Sequence, residues 1–109
     1  MRALVVMAVL VGAAAPAAAD RPLCGPNARY RGAPIDLDVK NAEIHDVFRL
    51  LADTGRTNIV VGDAVTGRVT MRLRRVPWDQ VACTVAATKG LTITVDGDVL
   101  LVVPAAPPR

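Results

Sequence analysis

Serine is absent from all 109 residues, so no serine nucleophile exists in this chain. A single histidine and two cysteines cannot build a standard Cys/His zinc cluster. Aromatic residues are limited to Tyr30, Phe48 and Trp78, too few for the stacking surface that nucleic-acid modules often add to a basic patch. No G-x-G-x-x-G or Walker spacing surrounds Gly62 or Gly67, so no phosphate cradle is signalled. These absences point away from an enzyme and from any cofactor, metal, nucleic acid or small-molecule substrate. What is present is foldable: 52% of the residues are apolar, which disfavours disorder, and 8 Gly with 8 Pro is ordinary for turns.

The formal charge of +3 is unevenly spread. From Ile35 to Pro104 there are eight basic and nine acidic residues, a balance near −1, while the flanks carry Arg21, Arg29, Arg31 and Arg109. A nucleic-acid domain concentrates positive charge on its folded part, and this chain does not.

Arg2, an apolar stretch from Ala3 to Ala15, and Ala17 and Ala19 before Asp20 make the pattern of a cleaved export signal, residues 1–19. A retained membrane anchor is the alternative, but the stretch is shorter than the ~20 residues a spanning helix needs. Leu23 and Pro22 before Cys24 are a poor setting for lipid modification. Export leaves about 90 residues, one small domain whose core is marginal by size. It also implies an oxidising compartment, where Cys24 and Cys83 have a use. A bridge between them would close a loop of about 60 residues and stabilise by roughly 4 kcal/mol on the chain-entropy model. Two free thiols, or a redox-active pair lacking a C-x-x-C, are the alternatives.

Residues 20–34 are rich in Pro, Gly and Arg without hydrophobic period and read as a lead segment. Ile35, Leu37 and Val39 then alternate with Asp36, Asp38 and Lys40, which predicts a strand. Asn41 is the expected cap of a helix with Glu43 in its first turn. Its stripe is Ile44, Val47, Phe48 and Leu51, widened by Leu50, and its stop is Gly55. Asn58 to Val61 predicts a short strand and Gly62 to Gly67 a turn. Val69, Met71 and Leu73 then alternate against Arg68, Thr70, Arg72 and Arg74. Val76 to Lys89 predicts the second helix, with Pro77 at its first position, a stripe of Trp78, Val81, Ala82 and Val85, and Gly90 as its stop. Leu91 to Val95 and Val99 to Val103 predict a hairpin around Asp96 to Asp98. The expected fold is α+β, in the order β-α-β-β-α-β-β, with two helices against or between small sheets and a loose tail at 105–109.

His45 is expected on the wet side of the first helix, and Asp36 with Asp38 and Asp96 with Asp98 are expected as solubility and turn residues rather than ligands. The one local concentration of charge is Arg68, Arg72, Arg74 and Arg75. Alternation makes it a solvated face offset by nearby aspartates, a docking face for an acidic or carboxylate-bearing partner, or a contact for nucleic acid or an anionic cell-surface polymer.

The run from Ile35 to about Pro104 resembles the short N-terminal periplasmic domain shared by bacterial secretins, the type IV pilus kind above all, and by signal-transducing TonB-dependent receptors. The resemblance rests on D-V-x-x-L-L-A at Asp46 to Ala52, on NIVV at Asn58 to Val61, on V-x-G-x-V-T-x-x-L from Val65 to Leu73, and on VPWDQ at Val76 to Gln80. It implies a non-enzymatic module, 35–104, whose core anchors include Ile44, Val47, Leu51, Val69, Leu73, Trp78 and Val85. The chain departs from the family's look in the small residues Ala82, Thr84 and Ala86. It also departs at Cys83, which stands where the family has an outward polar residue and could receive Cys24. A 109-residue chain has no room for a secretin pore or a receptor barrel, so it is not expected to be the channel.

The expected function is a periplasmic protein-interaction module beside a secretion or type IV pilus secretin, with a partner in the periplasm or at the outer membrane. A signalling adaptor that meets an anti-sigma regulator is the alternative, and a small enzyme is the third.

Overall fold

The computed structural model describes residues 21–105; the expected export signal, 1–19, and residues 106–109 lie outside them. Strand β1 (Arg21–Pro22) is followed by β2 (Pro34–Glu43), α1 (Ile44–Gly55), β3 (Asn58–Val61), β4 (Arg68–Pro77), α2 (Trp78–Lys89), β5 (Leu91–Asp96) and β6 (Val99–Pro104). From β2 onward this is the expected α+β order. Strand β1 was not expected: its two residues pair with Val95 and Thr94 of β5, a tertiary contact that no local pattern reports.

β5 and β6 form an antiparallel hairpin, β1 joins β5, and β3 lies parallel to β6, giving a four-stranded sheet ordered β1-β5-β6-β3. β2 and β4 form a separate antiparallel pair. Helix α1 touches β2 and β3, α2 touches β4 and β5, and the helices touch each other, so both lie between the sheets.

The period of α1 places Ile44, Val47, Phe48 and Leu51 in the core, each at most 2% exposed. Leu50 does not widen the stripe: it is 42% exposed, because it lies about 100° round the helix from Leu51. Val69 and Val85 are buried as expected, and Leu73 and Trp78 are packed against the core but half-buried. Helix α2 is covered on more than one side, with Asp79 and Cys83 as well as Val81, Ala82, Val85 and Ala86 buried. Val65, in the turn before β4, is 1% exposed and fills the core from a loop.

The helix ends differ from expectation in three places. Asn41 is not a cap; it lies in β2, Glu43 is the N-terminal flanking residue, and the first helical N–H, that of Ile44, is satisfied by the Gly67 carbonyl at 3.0 Å. Gly55 stays helical and the left-handed position falls on Arg56, φ 51°, whose N–H reaches Ala52 and Asp53 carbonyls. Pro77 ends β4 opposite Pro34 rather than opening α2, and the Trp78 N–H donates to the Ala33 carbonyl at 3.1 Å. Gly90 does stop α2, at φ 67°.

Candidate functional site

The arginine row belongs to the β2–β4 pair, which carries two bulges of complementary construction. Ile35 opposes Val76 and Leu37 opposes Leu73, so Arg74 and Arg75 together face Asp36. Arg75 takes a left-handed φ of 57°, and its freed N–H donates to Asp36 Oδ1 at 2.9 Å. At the other end Val39 opposes Met71 and Ala42 opposes Val69, so Lys40 and Asn41 face Thr70. Asn41 has φ 55°, and its N–H donates to Thr70 Oγ1 at 2.8 Å. Each bulge spends one extra residue, and each is closed by a side chain from the opposite strand. A bulge turns two neighbouring residues outward, which is how Arg74 and Arg75 are both exposed while Val76 returns to the core.

Arg68, Arg72, Arg74 and Arg75 are therefore all exposed on one rigid pair of strands. They are not equivalent. Arg68 Nη1 donates to the Asn41 carbonyl at 3.0 Å, which ties it to its own sheet. Arg68 sits across from Glu43, Arg72 from Asp38, and the Arg74–Arg75 bulge from Asp36. With Lys40, five basic side chains meet three acidic ones, so repulsion along the row is relieved without cancelling its charge.

At the far side of α2 the lead segment is held in place. Cys24 is disulfide-bonded to Cys83, with Cα atoms 5.6 Å apart. Cys83 is only 7% exposed, a departure from the outward position expected of it, because the lead segment lies over that face of α2. Asp79, in the first turn of α2, is the one buried charged residue among those described. Its Oδ2 accepts the Arg31 N–H at 3.0 Å, and its Oδ1 accepts the N–H groups of Gly32 at 3.1 Å and Gln80 at 3.2 Å. One carboxylate thus caps α2 and clamps the lead chain. Sequence reasoning missed it, since an aspartate at a helix start is adequately explained by the helix dipole alone.

Trp78 lies between the lead segment and α1. A side chain on either Gly32 or Gly55 would run into its indole, so both glycines serve as flat backbone surfaces for the ring. That is why Gly55 stands inside α1 and is not the stop expected of it. His45 is also corrected: it is half-buried, and its Nε2–H donates to the Val65 carbonyl at 2.7 Å, holding the turn before β4.

Asp96 and Asp98 flank Gly97, which has φ 61° as a tight turn requires. Among the described residues no group of three or more His, Cys, Asp or Glu side chains is placed to hold a metal ion, and no helix is long and apolar enough to cross a membrane. The arrangement offers oriented charge on a rigid scaffold, suited to recognition.

No protein-family model matches the chain. It is 42% identical over 79 residues to the fimbrial assembly protein PilQ of Pseudomonas aeruginosa, a match covering 72% of this chain and 11% of that protein. It superposes on the type IV competence pilus secretin PilQ of V. cholerae with a TM-score of 0.57 and 40% identity, over 62% of this chain and 16% of that one. On the N0 domain of the type II secretin from enterotoxigenic Escherichia coli the TM-score is 0.60 over 67% of this chain and 96% of that domain, at 19% identity, a likeness of fold. The chain spans about a tenth of the length of the curated relatives it matches. It resembles the N-terminal, N0, periplasmic domain of bacterial secretins.

Proposed function

We propose that this chain, by its resemblance to the secretin N0 domain, is a non-enzymatic docking module of the periplasm. It works beside an outer-membrane secretin of a type IV pilus or secretion system, and its partner is a protein of that apparatus. The likeness found runs to secretins, which favours this reading over a signalling adaptor. In this proposal residues 1–19 direct export and the 35–104 module does the docking.

The observation that carries the reading is the combination of an N0-like fold with the exposed β4 arginines. Arg72 and Arg74 supply the principal grip, Arg75 extends it at the bulge, and Arg68 helps fix the sheet through Asn41. Guanidinium groups on a strand fixed at both ends lose little freedom when they bind carboxylates, and can grip them with paired hydrogen bonds. The module needs no cofactor, small-molecule substrate or nucleic acid for this.

Affinity capture from a periplasmic and envelope extract tests the proposal, with the Arg72→Glu/Arg74→Glu variant as control. The expected result is enrichment of a secretin or pilus component by the wild-type protein and its loss with the folded variant. Recovery of an anti-sigma regulator, or equal capture by both proteins, contradicts the proposal.

A further inference from the structure

We infer that the lead segment forms a second recognition site, an arginine-lined cleft that takes an acidic peptide segment of a protein partner. It shares no residue with the β4 face, so it goes beyond the docking reading above. The cleft is open to solvent, has a volume of about 690 Å³ and is bounded by the chain from Arg21 to Arg29, by Arg31 and by Asp79. Three arginines therefore line one space, and all three are exposed.

Among the described residues Asp79 is the only acidic one in that lining, and its oxygens are already engaged by the backbone N–H groups of Arg31, Gly32 and Gln80. Its carboxylate organises the wall instead of pairing with the arginines. Among the described residues the lining thus carries three arginines against one engaged carboxylate. Three of the five basic residues outside the near-neutral 35–104 module gather here.

The wall is also built before any ligand arrives. Strand β1 pairs with β5, and the Leu23 N–H donates to the Ile93 carbonyl at 2.9 Å. Cys24 is bonded to Cys83, the Ala28 N–H closes a turn onto the Gly25 carbonyl at 3.1 Å, and the Asp79 clamp holds Arg31 and Gly32. A Pro/Gly-rich segment fixed at this many points has already lost the freedom that binding would otherwise cost.

The cleft's size and edges select the ligand. Its volume corresponds to on the order of twenty waters, more than a single phosphate or carboxylate group requires. A peptide bearing several carboxylates fills such a space and answers three separate arginines. Pro22 lacks an N–H group, so the outer edge of β1 is poorly suited to adding another strand, and recognition falls to the arginine side chains.

The test is a titration of the isotopically labelled, disulfide-intact full chain with a blocked hexaglutamate peptide, followed by backbone amide shifts. Inorganic phosphate and phosphatidylglycerol vesicles are run as separate arms. Arg29→Gln/Arg31→Gln is the informative variant, because Asp79 holds the backbone of Arg31 and the clamp survives the substitution. The expected result is saturable shifts in residues 21–31, weakened at least tenfold in that variant and after Cys24→Ala/Cys83→Ala, and unchanged in Arg72→Glu/Arg74→Glu. Absence of saturable shifts overturns the inference. So do shifts confined to β4 that vanish with Arg72→Glu/Arg74→Glu, a result that would leave the docking proposal standing. Binding of phosphate or vesicles as tight as that of the peptide overturns the assignment of a peptide ligand.

Discussion

Removing both cysteines, by Cys24→Ala/Cys83→Ala, is the perturbation whose cost can be worked most directly. The residues are 59 apart in sequence, and on the chain-entropy model a loop of about that length is worth roughly 4 kcal/mol through the unfolded state. A chain this small has a total stability of about 5 to 10 kcal/mol, so the bridge supplies a large share. A second, smaller loss arises in the folded state. Cys83 is covered because the lead segment is tied over α2, and an untied lead segment exposes that face and one side of the Trp78 ring. Urea titration followed by tryptophan fluorescence and by circular dichroism reads both. With a slope of about 1 to 2 kcal/mol/M the midpoint should fall by roughly 2 to 4 M. Fluorescence of the lone Trp78 should change in the folded baseline as well. A midpoint shift equivalent to less than ~1 kcal/mol would refute the reasoning, as would two thiols that alkylate freely in untreated periplasmic protein.

Trp78→Ala should cost ~3 kcal/mol, at the low end for a tryptophan because the ring is only half-buried; denaturant titration checks it. Gly55→Ala should cost ~1 to 3 kcal/mol by driving a methyl group into the Trp78 indole, whereas Gly25→Ala, with nothing within 4 Å, should stay within ~0.5 kcal/mol. Asp79→Ala should cost ~2 to 3 kcal/mol, since it strands the Arg31 and Gly32 N–H groups. Hydrogen exchange at those two amides should rise together.

The stripe of α1, the alternation of β4 and the β5–β6 hairpin were legible because each is a local period read by one packing surface. What escaped was set by contacts distant in sequence. Asn41 looks like a cap until Thr70, 29 residues away, is seen to accept its N–H in a bulge. Gly55 looks like a stop until Trp78 lands on it, which moves the left-handed turn onto Arg56. Pro77 fits a first helical position by its fixed φ, yet its ψ of 139° is that of the strand it closes. Asp79 and His45 are polar, so a face-based reading sends them to solvent; both are instead drawn inward by backbone groups that need a partner. Of the candidate site, the arginine row was visible as alternation. The bulge that turns Arg75 outward beside Arg74, and the pairing of the row with Asp36, Asp38 and Glu43, were not, since they depend on the register of β2.

The central claim is that oriented arginines on β4 dock an acidic face of an envelope partner. Its most direct test is the association rate of the chain with the partner recovered from the envelope extract, measured across ionic strength for the wild type and for Arg72→Glu/Arg74→Glu. Steering by this face predicts a wild-type rate that falls steeply as the Debye length shrinks below ~10 Å, and a variant at least tenfold slower at low salt with little or reversed salt response. Superimposable rates for the two folded proteins at every salt concentration would contradict the claim.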